Sequence, residues 1–222
     1  MKKLLVITVG QAPRDDIMEE MYPYLKNFEV IQKGALDGLT KEYIEENLKG
    51  KKDDYLLVSK LTNGDHVKFS EEKIIGRIQK IIDEYDKKVS YILILCTGHF
   101  NHKFNSKHEI IYPQNILKAV IKLILGKNHL MVINPSKDQI DQSKLFWSKH
   151  LENVDYYYAS PYKKDVKEFD QAIAYIKEKN PDLILLDCMG YRTKMKEYIK
   201  EKTGKSVILS NNLLGKVISE LD

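Results

Sequence analysis

The chain has 222 residues, 43% of them hydrophobic, and a formal charge of +4 built from 36 basic and 32 acidic residues. That is ample apolar material for one large α/β domain or two small lobes, while the mixed charge, with no basic stripe and no interleaved aromatics, argues against nucleic acid as a partner. No apolar run approaches the ~20 residues of a membrane helix, and two cysteines make no disulfide framework, so no membrane association and a reducing, cytoplasmic setting are expected.

The opening MKKLLVITVG meets charge and a turn too early for a signal peptide, and Lys3 to Val9 reads as a central parallel strand covered on both faces. In the following GQAPRDD, Gly10 permits a tight turn, Pro13 suits a first helical turn, and Asp15 and Asp16 suit a helix N-terminus. The helix should run to about Leu25, disturbed by Pro23. Such a turn points backbone N–H groups at whatever occupies it, so Thr8, Gln11 and Arg14 are candidate anion ligands; a well-capped helix with an exposed arginine is the plainer reading. Phe28 to Gln32 is a second strand, GALDGL a loop with Asp37 as a turn former, and Lys41 to Leu48 a short helix. The segment YLLVSKLTNGDHVKFS predicts a hairpin about NGD, a shape suited to a flap. Ser70 should cap an amphipathic helix over Glu71 to Tyr85, with Ile74, Ile75, Ile78, Ile81 and Ile82 facing inward and Arg77 on its surface or packed against a neighbour. Val89 to Leu95 is then a strand ending at Cys96.

Beyond Gly98 comes a polar loop, HFNHKFNSKHEIIYP. Cys96, His99 and His102 stand at short spacing with His108 beyond, yet nothing fixes a fourth ligand, so solvated histidines on a lid are preferred and no metal is expected. Gln114 to Leu125 should be a helix stopped by Gly126, and His129 to Ile133 a strand leading through NPSKDQ into a helix over Asp138 to His150. Val154 to Ala159 is a strand, Val166 to Glu178 a helix, and Leu183 to Leu186 the strand before Cys188. A helix over Lys194 to Lys202, a strand over Val207 to Leu209 and a last helix capped at Ser210 or Asn211 complete the pattern.

Alternating strands and helices predict parallel sheets with helices on both sides, and the passage from helix through apolar strand to cysteine turn occurs twice. There is no GxGxxG and no GxxxxGK[ST]. Ligands of such sheets sit at strand carboxyl ends, where Cys96, Cys188, Arg14, Arg192, NPS and SNN all fall. Two thiols across a cleft can serve as base and acid on opposite faces of a carbon, without metal or organic cofactor. Thr97, Gly98, Gly190 and the N–H groups after each cysteine could hold a carboxylate or an enolate, and Tyr191, Ser210 and Asn211 join the candidate binding set. In a chain with 33 lysines and three arginines, Arg14 and Arg192 stand out as bidentate carboxylate clamps. Against this, a cysteine ending an apolar strand is often only a small buried hydrophobe.

The pieces GQAPRDD, GALDGL, LCTG, LDCMGY and LSNNLLGKVISEL resemble the AroM family, whose members are similar to the aspartate/glutamate/hydantoin racemase superfamily. The resemblance spans almost the whole chain. It implies an α/β fold of two similar parallel-sheet lobes with a cleft between them, residues 1–112 with 211–222 forming one and 113–210 the other. It further implies a cofactor-independent racemase or isomerase of a small carboxylate or other anionic ligand, with Cys96 and Cys188 as its catalytic pair; a homodimer is possible. Thr97 departs from the asparagine usual in the superfamily and Met189 from the common threonine. Relatives with one working cysteine act as decarboxylases or isomerases, and the AroM name records a link to aromatic biosynthesis. A single-cysteine decarboxylase and a non-catalytic small-molecule-binding or regulatory protein are therefore the alternatives.

Overall fold

Residues 1–51, 54–100, 102–163 and 165–222, the part of the chain that this computed structural model describes, form ten strands and eight α-helices. In chain order the first half holds β1 (Lys2–Thr8), α1 (Asp15–Met21), β2 (Phe28–Gly34), α2 (Lys41–Asn47), β3 (Leu56–Lys60), β4 (His66–Ser70), α3 (Glu72–Tyr85), β5 (Tyr91–Leu95) and β6 (Ile110–Ile111). The second holds α4 (Pro113–Leu125), β7 (Leu130–Asn134), α5 (Ile140–Trp147), β8 (Val154–Tyr158), α6 (Lys167–Lys179), β9 (Leu183–Leu186), α7 (Thr193–Thr203), β10 (Ser206–Leu209) and α8 (Ser210–Ser219).

Two four-stranded parallel sheets result, ordered β2-β1-β5-β6 and β10-β9-β7-β8, with β3 and β4 as a separate antiparallel hairpin. The central strands are apolar on both sides because each sheet is covered twice. Leu5, Ile7, Ile92 and Ile94 pack on Ile74, Ile78 and Ile82 of α3, while Leu4, Val6, Leu93 and Leu95 pack on Ile17, Met18 and Met21 of α1. The second sheet repeats the plan: Met131, Ile133, Ile184 and Leu186 face α6 and α7, and Leu130, Val132, Leu183 and Leu185 face α4 and α5. The doubled α/β arrangement is thus the one expected. Helix α8 follows β10 of the second sheet, yet its Leu214 and Ile218 are buried beneath the first sheet beside Ile17, Met18 and Met21.

Several local expectations are corrected. Pro13 precedes α1 instead of lying in its first turn, and Arg14 occupies the cap position. Ser70 is the last residue of β4, and Glu71 stands at the cap position of α3. The helix expected over 138–150 is a 3-10 turn at Lys137–Gln139 followed by α5, ending at Trp147. Ser210 and Asn211 lie inside α8, whose cap position is Leu209, and neither side chain caps the helix. Arg77 is a brace: it donates to the carbonyls of Ala35 and Asp37, the latter at 2.7 Å, and so fixes the loop after β2.

Candidate active site

Both cysteines follow a buried central strand by one or two residues, where the parallel backbone ladder ends and the chain turns. Gly98 donates its N–H to Cys96 Sγ at 3.2 Å and Gly190 donates to Cys188 Sγ at 3.4 Å, so the two turns make the same contact two residues beyond each sulfur. The residues after the sulfurs have opposite fates. Thr97 Oγ1 donates to the Asp187 carbonyl at 3.3 Å, across to the other cysteine turn. Met189 is buried in the core of the first half beside Leu93, Leu95 and Ile17.

Cys96 and Cys188 border one cavity of about 60 Å³. Its walls come from both halves: Arg14, Tyr55, Ser59 and Thr97 on one side, Gln114, Asn134, Ser143, Tyr162 and Asp187 on the other. Strand β3 of the hairpin supplies part of its cover, with Leu57, Val58 and Ser59 bordering it. A side-chain amide ties that cover to α5 in the manner of a strand partner, since Leu56 donates its N–H to Gln142 Oε1 at 2.7 Å and Gln142 Nε2 donates to the Leu56 carbonyl at 3.1 Å. Lys68 pairs with Asp138, and the His66 ring lies 4.8 Å from that of Tyr162.

The two sulfurs are partly exposed but closely surrounded, and burial raises both thiols. Cys96 is pushed up to about 12, with only the Gly98 N–H opposing. Cys188 is also raised, but three groups oppose burial there: the Gly190 N–H, the Tyr162 hydroxyl 3.8 Å from the sulfur, and the charge of Arg14. Burial pushes the Tyr162 phenol up as well, so it stays protonated and serves a Cys188 thiolate as a donor. Cys188 is therefore the more readily ionised of the pair.

Asp187 is the acidic member of the site. Trp147 Nε1 donates to its Oδ2 at 3.2 Å. Burial pushes the carboxyl up to about 6, against the pull of Trp147, Thr97 and Gln114. Asp187 Oδ1, Gln114 Oε1, Asn134 Oδ1, Gln139 Oε1 and Ser143 Oγ are buried without a hydrogen-bond partner among the described residues, and all five residues border the cavity. Buried polar atoms are normally paired, so their concentration around one cavity marks a place prepared for a polar occupant. A checkable consequence attaches to Asp187. The native state binds its proton more tightly than the unfolded chain does, so this group's contribution to stability falls as pH rises from about 4 to about 7. Asp187→Asn cannot ionise; it should gain about 1 to 3 kcal/mol over the native protein at pH 8 and little at pH 4, as read by denaturant unfolding.

The remaining predicted site residues are placed as follows. Arg14 is buried at the cavity wall, but its guanidinium is held by Asp16 at 2.8 and 2.9 Å and donates to Ser59 Oγ at 3.2 Å. Thr97 and Gly98 border the cavity. Thr8 and Gln11 are not among the described residues lining it. Thr8 Oγ1 accepts from the Gly10 N–H, and Gln11 ties the carbonyls of Leu36 and Leu39 to Thr62. Other N–H groups of that turn are also taken, Ala12 by Asp37 and Arg14 by Gln32. Gly190 and Arg192 border a separate, larger chamber. Gly190 packs so closely on Tyr162 that a β-carbon there would fall 2.5 Å from the phenol oxygen. Tyr191 is buried and donates to the carbonyls of Ile133 and Ala159. Ser210 Oγ donates to the Leu186 carbonyl, and Asn211 Nδ2 donates to the carbonyls of Met189 and Tyr191 at 2.9 and 2.7 Å. These last three hold the Cys188 turn from behind.

Sequence reasoning missed Tyr55, Ser59, Gln114, Ser143, Tyr162 and Asp187, while Asn134 was noted only as part of NPS at a strand carboxyl end. One of the missed residues left a trace, the lone carboxylate ending LILLD. The three histidines of the polar loop are dispersed: His99 lies against Phe146, His102 against Phe104, and His108 Nε2 is 2.8 Å from the Asp86 carbonyl. No helix among the described residues is long and apolar enough to cross a membrane.

Known structures place this architecture. The aspartate racemase of Picrophilus torridus is 11% identical and superposes with a TM-score of 0.63, covering 100% of this chain and 94% of its own. The maleate isomerase Iso from Pseudomonas putida S16 gives 13% identity and a TM-score of 0.63 over 99% and 93%, and an unliganded arylmalonate decarboxylase 12% and 0.60 over 100% and 92%. At such identities the likeness is one of fold: two facing parallel-sheet lobes. No curated protein matches the chain in sequence. The model of the AroM family, described as AroM protein, matches residues 4–222, and the chain belongs to that family.

Proposed function

We propose that the protein is a cofactor-independent racemase or isomerase of a small carboxylated substrate, with Cys96 and Cys188 as its proton-transfer pair. The observation that carries this reading is the meeting of both thiols on one polar-lined cavity, each at the carboxyl end of a central strand of its own sheet. In one direction the Cys188 thiolate takes the proton from the carbon next to the carboxylate. The electron pair of that C–H bond passes into the carboxylate as an enediolate, and the Cys96 thiol returns a proton to the opposite face. The reverse direction exchanges the roles. The Asn134 Nδ2 and the Ser143 hydroxyl donate neutral hydrogen bonds to the substrate carboxylate, and the unpaired oxygens of Gln114, Asn134 and Gln139 accept from its N–H or O–H groups. Its arrival raises Asp187 further, and a protonated Asp187 donates a hydrogen bond where an ionised one would repel.

The fold neighbours support a carboxylate, since their names are those of enzymes acting on aspartate, maleate and arylmalonates. One observation favours a second reading. Only Cys188 is served by a phenol and a guanidinium, so chemistry by Cys188 alone, as in a decarboxylase, is the alternative. The test is to incubate the protein in D₂O with aspartate, maleate and phenylmalonate and follow the α-carbon by NMR. Deuterium entering with inversion or isomerisation is the expected result. CO₂ release without inversion selects the single-thiol reading, and no exchange with any small carboxylate ends both.

A further inference from the structure

A second chamber adjoins the cysteine cavity, with Tyr162 as the wall they share. At about 710 Å³ it is far larger, within the usual range for small-molecule sites of roughly 300 to 1,000 Å³. Its apolar side is formed by Phe169, Met195 and Val166, the last of these 54% exposed although apolar. Its polar side is cationic. Lys60, Lys163, Arg192 and Lys194 border it against Asp16 and Asp165. Asp16 is committed to Arg14, and Lys163 to Glu168. Lys60, Arg192 and Lys194 take part in no ion pair among the described residues, which leaves three unpaired cations facing one carboxylate.

Two of those cations, Lys60 and Arg192, converge on Asp16. Burial alone would raise Asp16, but the Arg14 hydrogen bonds and charge hold it below its usual range, with Lys60 and Arg192 adding to the effect from two different elements. Arg192 stands at the cap position of α7 with no capping bond from its side chain. The N-terminus of that helix is already occupied: Glu20 accepts from the Thr193 N–H at 3.1 Å and from the Thr193 hydroxyl. Among the described residues the guanidinium makes no hydrogen bond or ion pair, and its charge acts on Asp16. Its planar fork suits a phosphate or carboxylate, and the apolar part of the lining suits a flat hydrocarbon body.

We infer that this chamber binds an amphipathic organic anion, a ring-sized apolar body carrying a phosphate or carboxylate, with Lys60 and Arg192 on the charge and Val166 on the ring. The site stands whether or not the cysteines turn over a substrate. Calorimetric titration with 1-naphthyl phosphate is the test, with inorganic phosphate and 1-naphthol as single-feature controls. The expected result is salt-sensitive binding of 1-naphthyl phosphate, at least about tenfold tighter than either control because both walls contribute. Lys60→Ala with Arg192→Ala, and separately Val166→Asp, should each weaken it by about tenfold or more while the melting curve stays unchanged. The protein with both cysteines changed to serine should bind the probe as the native protein does, so failure of the proton-transfer reading leaves this measurement intact. Absence of binding, equal affinity in the chamber variants, or equal affinity for inorganic phosphate would overturn the inference.

Discussion

Cys188→Ser is expected to lower turnover by about 10² to 10⁴-fold, the usual contribution of a positioned acid–base group, and Cys96→Ser to do the same by a different route. A serine hydroxyl keeps the shape but neither ionises nor gives up its proton as a thiol does. With Cys96 replaced, the Cys188 thiolate still removes a proton from one hand of the substrate, so deuterium enters that enantiomer without inversion. With Cys188 replaced, exchange at that hand should disappear, because the proposed mechanism assigns Cys96 to the opposite face. At saturating substrate kcat should also climb through the alkaline range instead of levelling near neutrality, since burial raises both thiols and Cys96 stands at about 12, while KM rises above about pH 6 as Asp187 ionises. Chiral chromatography with NMR of the α-proton reads both outcomes. Full activity in both variants sinks the pair, and a dead Cys188→Ser beside a fully active Cys96→Ser leaves a single working thiol.

Asn211→Ala should have the largest effect on stability among the residues around the site, about 2 to 4 kcal/mol. The Asn211 side chain is wholly buried, and its one amide nitrogen serves two main-chain carbonyls, Met189 and Tyr191, which flank Gly190 in the turn after Cys188. Alanine leaves both carbonyls buried without this donor, and each such loss costs about 1 to 3 kcal/mol. The turn loses its brace as well, so kcat should fall in the surviving folded fraction. Asn211→Asp keeps the volume but offers acceptors where donors are needed, and should be no better than alanine. Denaturant titration checks the first effect, and kinetics at a temperature where the variant is fully folded checks the second. A melting midpoint equal to that of the native protein would remove Asn211 from this role.

The sheets were legible because their signal is local. Continuous runs such as LLVIT, LMVIN and LILL are what a strand covered on both faces requires, and both cysteines were found because each ends such a run. The hairpin was legible for the same reason, in its NGD turn. The cavity walls were not. Gln114 begins a helix, Ser143 lies on the buried face of another, and Tyr162 sits in a loop; only the meeting of two separately built sheets brings them to one place. Asn211 and Ser210 show the opposite error. Polar residues at the start of a helix promise a cap or a ligand, yet here they turn inward to the backbone of the neighbouring loop. Arg14 was singled out as a clamp for a ligand carboxylate, and the carboxylate its guanidinium holds is that of Asp16, two residues along.

Met189 and α8 bear on how the two halves are held together around the sulfurs. Met189, Leu214 and Ile218 belong to the second half of the chain but are seated under the first sheet, each burial contributing about 1.5 to 3 kcal/mol that water cannot replace. The hairpin is held to α5 and its entry turn by the Gln142 amide and an exposed lysine–aspartate pair, ties worth about 1 kcal/mol each and readily exchanged for water. The two halves are thus joined around the sulfurs by apolar contacts at Met189 and α8 and by polar ones where the hairpin meets α5. The part of the cavity wall that β3 supplies is therefore fixed to the first half by the burial of Leu57, Val67 and Phe69 and joined to α5 and its entry turn through polar groups.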